Sequence, residues 1–444
     1  MIAAGRQARV LVAGGGIAAL ELLLALRAYA PSRVAVTLLT DDADLAPRAM
    51  TVAEPFARGA ARTYAWSQIA ADLDARLVLD ALVAVDTSAR IVFTHDGRRV
   101  PYDILAIATG ARRVDPFVGA LTFGPGPQAP GDLRRLVDDA LGGDVASIAF
   151  TMPSPSSWPL PLYELALLTA QELREHGCDA AVRIVTPEDQ PLAFFGPAAA
   201  AAVMPVLAAM DVEIVTGAQP RGVVAGGLLL AGGDVVATDR IVSLADIAAR
   251  PVPGLPLDRA GFLPVDRWGR VAGEPTVYAA GEVTSFPMRQ GGLATQQADA
   301  VAEAIAAACG AHDDPAPFRP VLRGLLLTSG APLYLHSRPS GQSVASARAL
   351  WSPPEKVAGR YVAPYLATAR PARIGASPML ERVPDVAGAA SDELDAVTLA
   401  LAIAGAEARC ANTERWLQAL DAARALDPEA GAQGRMITGV PART

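Results

Sequence analysis

Cysteine, lysine and aromatic residues are scarce in this chain of 444 residues. The three cysteines, Cys178, Cys309 and Cys410, lie far apart and form neither a CxxC motif nor a metal-ligand spacing with the four histidines. We therefore expect no disulfide framework, no metal site and no dithiol reductase chemistry, and the scarcity fits a reducing, cytoplasmic setting. Lys356 is the only lysine.

Basic charge is also in deficit, since the formal net charge is -8. An acidic chain repels phosphate backbones, so nucleic acid is not an expected partner.

No uninterrupted apolar stretch is long enough to span a bilayer. Three glycines and Glu21 interrupt the apolar run over 10–26, which argues against export. A polar, acidic helix predicted over 391–425 lacks a basic face and should bind membranes poorly. It could instead dock within the fold or in a homodimer.

The residues that are abundant indicate an α/β fold. Hydrophobic residues make up 52% of the chain and aromatic residues 5%, and the apolar content is mostly Ala, Val and Leu. Strand and helix patterns alternate twice, separated by a Gly- and Pro-rich stretch over 119–131. We predict two Rossmann-like, doubly wound domains and a smaller C-terminal domain. The predicted parts are a first domain over 1–118, a second over 119–238, a return to the first over 239–312, and a C-terminal domain over 313–444.

A dinucleotide fingerprint follows the first predicted strand and opens a helix. Gly14 would permit the tight turn, Gly16 would let the backbone approach a pyrophosphate, and the small side chain of Ala19 would let helix and strand pack closely. The diphosphate would then lie at the helix N-terminus, where free N–H groups and the helix dipole favour anions. Ile17 and Ala18 complete the motif.

The end of the second predicted strand is where an acidic residue commonly holds the ribose hydroxyl. Thr40 stands there, and Asp41 and Asp42 follow it. Thr40 could bond a hydroxyl, or Asp41 could take the role with a small shift. These residues could equally be ordinary turn residues.

Three further segments resemble one family. Residues 102–111 (YDILAIATGA) carry an Ala-Thr-Gly segment, 276–282 (TVYAAGE) resemble a second FAD motif that normally ends in Gly-Asp, and 291–299 (GGLATQQAD) resemble a helix start. Together with the fingerprint they are similar to the FAD-dependent pyridine nucleotide-disulfide oxidoreductase superfamily, close to type II NADH dehydrogenases and sulfide:quinone oxidoreductases. The resemblance covers roughly residues 9–310 and implies FAD as cofactor.

The resemblance also implies roles for residues at matching positions. Gly281 and Glu282 would meet the FAD diphosphate and ribityl chain, with Glu282 in place of the usual aspartate. Gly292, Leu293 and Ala294 would begin a helix whose positive end faces the flavin pyrimidine, where reduced flavin carries negative charge. The other residues implied to lie along the cofactor are Arg48, Val83, Thr109 and Gly110.

The second βαβ unit departs from the family pattern. Its first strand leads into residues 152–161 (MPSPSSWPLP), which contain no glycine and four prolines. Prolines lack the N–H donors that an anion needs, and Trp158 is bulky, so we expect no normal NAD(P)H site here. Sulfide:quinone oxidoreductases also lack this glycine loop, but their chemistry needs cysteine pairs that this chain does not have.

The sequence therefore predicts an FAD-dependent oxidoreductase that passes electrons to a small or quinone-like acceptor. One alternative is an NAD(P)H:acceptor reductase with an atypical nicotinamide site. Another is a flavin-bearing subunit without catalytic activity. The sequence assigns no catalytic acid or base, because Glu164 could face the flavin or simply cap its helix.

Overall fold

The computed structural model describes residues 6–124, 126, 128–311, 313–337, 342–368 and 396–427. Among them, helices of the 3-10 type cover Arg48–Phe56, Ala193–Phe195 and Gly281–Val283. The α-helices are α1 Ile17–Tyr29, α2 Trp66–Asp72, α3 Ala129–Leu141, α4 Leu160–Glu175, α5 Pro197–Ala209, α6 Gly291–Ala308, α7 Val362–Ala367, α8 Ala396–Arg409 and α9 Thr413–Leu426.

The strands form two larger parallel sheets and several small antiparallel ones. In chain order they are β1 Ala8–Ala13, β2 Val34–Thr40, β3 Asp44–Leu45, β4 Tyr64–Ala65, β5 Arg76–Leu79, β6 Leu82–Asp86, β7 Ile91–Thr94, β8 Arg99–Pro101, β9 Ile104–Ile107, β10 Arg112–Val114, β11 Leu121–Phe123, β12 Ser147–Thr151, β13 Ala181–Val185, β14 Glu213–Val215, β15 Pro220–Val224, β16 Gly227–Leu230, β17 Val235–Ala237, β18 Arg240–Leu244, β19 Asp246–Ala248, β20 Val277–Ala279, β21 Leu322–Leu326, β22 Leu333–Ser337 and β23 Ser343–Ser346.

The first sheet has the strand order β20-β9-β1-β2-β5, and every neighbouring pair is parallel. Its central strand β1 is buried except at Arg9, as expected for a strand covered on both faces. Helices α1 and α6 pack into one core cluster against this sheet. The βαβ unit predicted from the first forty residues is confirmed.

The second sheet has the order β11-β18-β12-β13-β14, again parallel throughout. This order corrects one expectation, because residues 239–245 were predicted to return to the first domain. Strand β18 instead lies between β11 and β12, and only β20 joins the first sheet. The error has a physical cause: β18 is a short buried apolar strand, and such a run does not specify which sheet it joins.

The C-terminal helical segment also differs from its prediction. Two helices, α8 and α9, occupy the described part of 391–425, while residues 391–395 lie outside the described residues. The chain turns between them, and the Asn412 side chain caps α9 by accepting the Arg415 N–H. Both helices pack into the core cluster of the second domain, so the segment docks within the fold. Across the described ranges, no helix has the length and apolar character needed to cross a membrane.

A buried carboxyl group fixes the segment before α7 onto α1. Glu21 of α1 is fully buried and accepts the N–H groups of Tyr361 at 3.0 Å and Val362 at 2.7 Å. Burial raises the pKa of Glu21 to about 8, and the negative charge of Asp299 acts in the same direction. The folded chain therefore holds this proton at a pH where the unfolded chain has released it.

The substitution Glu21→Gln should reduce the loss of stability that accompanies a rise in pH from about 5 to about 8. Since the folded state binds the extra proton between pH 4.5 and about 8, Glu21 lowers the free energy of unfolding by about 1.4 kcal/mol per pH unit over that window. Urea denaturation at about pH 5 and about pH 8 measures the difference. Glu355→Gln, an exposed acid on the same segment, is the control. Equal pH dependence in Glu21→Gln and wild type would contradict the assignment.

Candidate functional site

A cavity of about 920 Å³ opens at the carboxyl ends of the first sheet. Its volume lies within the range of ligand pockets, roughly 300–1,000 Å³. The fingerprint turn, the end of β2, the segment after β9 and the start of α6 line one part of it. The start of α4, strand β21 and the segment around Lys356 line another part. The cavity therefore runs from the first domain to the second and to the C-terminal region.

The fingerprint turn has the geometry that its glycines require. Gly14 has a φ of 131°, and a Cβ added there would lie 2.1 Å from the Ala108 carbonyl oxygen. Its N–H donates to the Leu39 carbonyl at 2.8 Å, which ties the turn to β2. Gly16, by contrast, is extended, and a Cβ there would meet no atom within 4 Å. The turn thus packs tightly at Gly14 and leaves open space above Gly16, next to the N-terminus of α1.

Most of the residues predicted to bind the cofactor line this one cavity. Those that do are Gly14, Gly16, Ile17, Ala18, Thr40, Asp41, Arg48, Thr109, Gly110, Gly281, Glu282, Gly292 and Ala294. The structure therefore brings both FAD motifs, separated by more than two hundred residues, to one place.

Three of the predicted residues do not line the cavity. Ala19 is fully buried, which suits its predicted role in close helix–strand packing and leaves it no surface for a ligand. Leu293 is buried, and its N–H already donates to the Gln290 side chain at 2.6 Å. Val83 lies on β6 with 47% of its surface exposed, while its neighbour Leu82 lines the cavity instead.

The end of β2 favours one of the two ribose contacts that the sequence left open. Thr40 is buried, and its hydroxyl oxygen accepts the Asp42 N–H at 3.1 Å, as in a local turn. Asp41 is exposed and lines the cavity. The carboxylate of Asp41 is therefore better placed than the Thr40 hydroxyl to accept a bond from a ligand.

Glu282 and two arginines form a charged group at the cavity wall. The Glu282 carboxylate pairs with the Arg113 guanidinium at 2.6 Å. The Nε and Nη1 atoms of Arg289 are buried and have no hydrogen-bond partner within the described part of the chain, and its guanidinium lies 4.2 Å from the centre of the Phe262 ring. Burial lowers the pKa of Arg289 to about 10, so it stays charged at neutral pH. Sequence reasoning missed both arginines, because neither belongs to a motif.

A buried ion pair lines the opposite part of the cavity. Lys356 donates to both carboxylate oxygens of Glu164, at 2.7 and 2.8 Å, and the Leu327 N–H donates to the same carboxylate at 2.9 Å. The Glu164 side chain is fully buried and that of Lys356 is 11% exposed. Burial raises the pKa of Glu164, while the charge of Lys356 acts in the opposite direction. Glu164 therefore pairs with Lys356 at the cavity and does not cap α4, whose N-terminus has no side-chain cap.

The start of α6 lies next to the segment that carries this pair. A Cβ added at Gly291 would lie 3.5 Å from the Val357 side chain, and Val357 directly follows Lys356. Gly291, Gly292 and Lys356 all line the cavity. The positive end of the α6 dipole and the Glu164–Lys356 pair thus border the same space.

The turn after β12 joins a strand to a helix but lacks the glycines of a dinucleotide loop. Its serines bond to each other, with 2.8 Å between the hydroxyl oxygens of Ser154 and Ser156. Trp158, the bulky residue of this turn, packs edge-on against Phe195, with 5.5 Å between ring centres, and lines the main cavity.

Comparison with known proteins agrees with the resemblance read from the motifs. Residues 165–308, about a third of the chain, match the family described as pyridine nucleotide-disulphide oxidoreductase. Two curated relatives are both named NADH dehydrogenase-like protein and come from two strains of Mycobacterium tuberculosis. Each is 30% identical over 220 residues, which cover 47% of this chain and 54% of the relative. The chain thus spans about half the length of these relatives.

Solved structures share the fold over most of the chain. The sulfide:quinone oxidoreductase from Aquifex aeolicus has a TM-score of 0.68 at 16% identity, covering 76% of this chain and 86% of that one. A ferredoxin reductase from Rhodopseudomonas palustris has a TM-score of 0.56 at 17% identity, covering 76% and 83%. An NAD-dependent persulfide reductase from A. fulgidus has a TM-score of 0.53 at 17% identity, covering 74% and 64%. These likenesses confirm the predicted fold class.

Proposed function

We propose that this chain, which belongs to the pyridine nucleotide-disulfide oxidoreductase superfamily, is an FAD-dependent oxidoreductase that passes electrons to a small or quinone-like acceptor. The observation that carries the proposal is the single cavity on which both FAD motifs meet. A second observation is the buried Glu164–Lys356 pair on the wall of the same cavity.

The residues of the cavity fit FAD. The open space above Gly16, at the N-terminus of α1, suits a diphosphate, and the exposed Asp41 suits the adenosine ribose. Two buried polar groups at the cavity, the Thr109 hydroxyl and the Arg289 guanidinium, have atoms without a partner among the described residues. A polar ligand would satisfy them. When bound, FAD supplies two-electron redox chemistry.

The remaining chemistry falls to the chain's own residues. The α6 N-terminus and the charge of Arg289 would stabilise negative charge at the redox centre. The Glu164–Lys356 pair holds a proton between the Oε atoms and Nζ, in a buried position where it could be passed to a reduced acceptor. Trp158 and Leu160 add apolar surface to the wall that carries this pair.

The identity of the electron donor distinguishes this proposal from a second candidate, an NAD(P)H:acceptor reductase with an atypical nicotinamide site. The names of the two mycobacterial relatives favour that candidate. The turn after β12 opposes it, because it holds no glycine and its prolines remove N–H donors.

The experiment is an absorption spectrum of the purified protein followed by anaerobic stopped-flow mixing with sulfide, NADH and NADPH in turn. We expect the spectrum of bound FAD, slow or absent bleaching by both nicotinamide nucleotides, and reoxidation by a quinone analogue after the flavin has been reduced chemically with dithionite. Rapid, saturable bleaching by NADH would select the second candidate. A colourless protein that does not take up added FAD would rule out both.

A further inference from the structure

The strand order of the second sheet reverses at β12. Its central strand β12 lies between β18 on one side and β13 on the other. In open α/β sheets, ligands bind outside the carboxyl ends of the strands at the point where the strand order reverses. A nicotinamide dinucleotide on this domain would therefore lie across the ends of these three strands.

A side chain of the C-terminal helix pair α8–α9 reaches the first of these strand ends. Glu407 of α8 is fully buried, and its carboxylate accepts a hydrogen bond from the Ser154 hydroxyl and one from the Ser156 N–H at 3.2 Å. Both serines lie in the turn after β12. A carboxylate that accepts from this turn makes the kind of contact that a diphosphate oxygen makes in a nucleotide-binding member of the fold.

The same helix pair contacts the ends of the two neighbouring strands. Arg409 pairs with Asp189, four residues after β13, at 3.0 Å. Arg415 of α9 donates to the Ser156 hydroxyl at 3.1 Å and pairs with Asp246, two residues after β18. The turn between α8 and α9 thus lies over the carboxyl ends of β12, β13 and β18 together.

The acidic residue that could hold a ribose in this domain already accepts hydrogen bonds from other residues of the protein. Glu188 follows β13 and is buried, where it accepts the Tyr163 hydroxyl at 2.6 Å and the Ala193 N–H at 3.1 Å. In dinucleotide sites an acid near this position faces the ligand instead. Its internal bonds indicate that no ribose is accommodated here.

We propose that the helix pair α8–α9 closes the second dinucleotide crevice, and that Glu407 determines donor specificity by excluding NAD(P)H from it. The Glu407 carboxylate accepts the hydrogen bonds that the Ser154 hydroxyl and the Ser156 N–H would otherwise donate to a ligand, and its negative charge repels a diphosphate. The contacts of α8–α9 lie at the second sheet and do not require FAD, whereas the role of Glu407 in donor specificity rests on the proposed function.

Hydrogen exchange of the full chain, measured by mass spectrometry with and without NADH, tests whether the helix pair and Glu407 exclude NADH from the second domain. In wild type we expect slow exchange over 152–157 that NADH does not change. In Glu407→Ala, exchange should rise at least about tenfold over both 152–157 and the helix pair, because a buried charge-assisted bond is lost. NADH should then bind at least about tenfold more tightly than in wild type and slow exchange over 152–157. Glu414→Ala, an exposed acid on α9, should behave as wild type.

Glu407→Gln keeps the shape of the side chain and removes its charge, so it provides the test if the alanine variant does not fold. It should also bind NADH more tightly than wild type. Protection of 152–157 by NADH in wild type would overturn the inference, because the crevice would then be open. Equal NADH affinity in wild type and in both folded variants would overturn the role of Glu407.

Discussion

Gly16→Ala is expected to fold as wild type does and to bind FAD at least about tenfold more weakly, a loss of about 1.4 kcal/mol or more. Gly16 has an extended backbone that alanine adopts without strain, and its added Cβ would meet no protein atom within 4 Å. The new methyl group would instead enter the cavity above the N-terminus of α1, where we place the diphosphate. Flavin fluorescence during titration of the apoprotein measures the affinity.

Two glycine variants serve as controls for this result. Gly14→Ala should lower the stability of the protein even without flavin, since its Cβ would lie 2.1 Å from the Ala108 carbonyl oxygen and its φ is 131°. Gly330→Ala adds a Cβ in open space outside the cavity and should change neither the stability of the protein nor its affinity for FAD. Wild-type FAD affinity in Gly16→Ala would place the diphosphate elsewhere and remove the main support for the proposed cofactor site.

The parts of the fold that the sequence predicts are those with local causes. The turn at Gly14 and Gly16 follows a buried strand and opens a helix, so every feature that defines it lies within a dozen residues. The turn between β7 and β8 also has a local cause, since Asp96 and Gly97 form an Asp-Gly pair, which favours tight turns between paired strands. Such elements follow from hydrophobic period and turn chemistry alone.

The parts that the sequence misses depend on contacts between distant segments. The sequence predicts the wrong sheet for β18, because the residues of a buried apolar strand do not specify which strands pair with it. Arg113 meets Glu282 across 169 residues, and Lys356 meets Glu164 across 192. Lys356 is the only lysine, and nothing in its local sequence indicates a carboxylate partner. A buried carboxylate such as Glu407 cannot be told from a surface acid before its neighbours are known.

Breaking the Glu164–Lys356 pair is expected to have the largest effect on turnover. In Glu164→Gln or in Lys356→Met, one buried charge loses its partner, which should cost about 3–5 kcal/mol of stability. The proton can no longer be exchanged between a carboxylate and an ammonium group, and removal of a positioned acid or base typically lowers turnover by a factor of about 10²–10⁴. Chemical denaturation measures the first effect, and steady-state assays with a quinone acceptor and the electron donor that reduces the flavin in the stopped-flow screen measure the second.

The double variant Glu164→Gln/Lys356→Met separates the two effects. Replacing a buried ion pair by neutral groups of similar volume is often neutral for stability, so the double variant should recover most of what each single variant loses. It cannot recover the proton, because neither side chain titrates near neutral pH. We therefore expect restored stability, retained FAD and a kcat that stays about a hundredfold low. A double variant that turns over as fast as wild type would show that the pair only supports the wall of the cavity, and that the proton for the acceptor comes from another group.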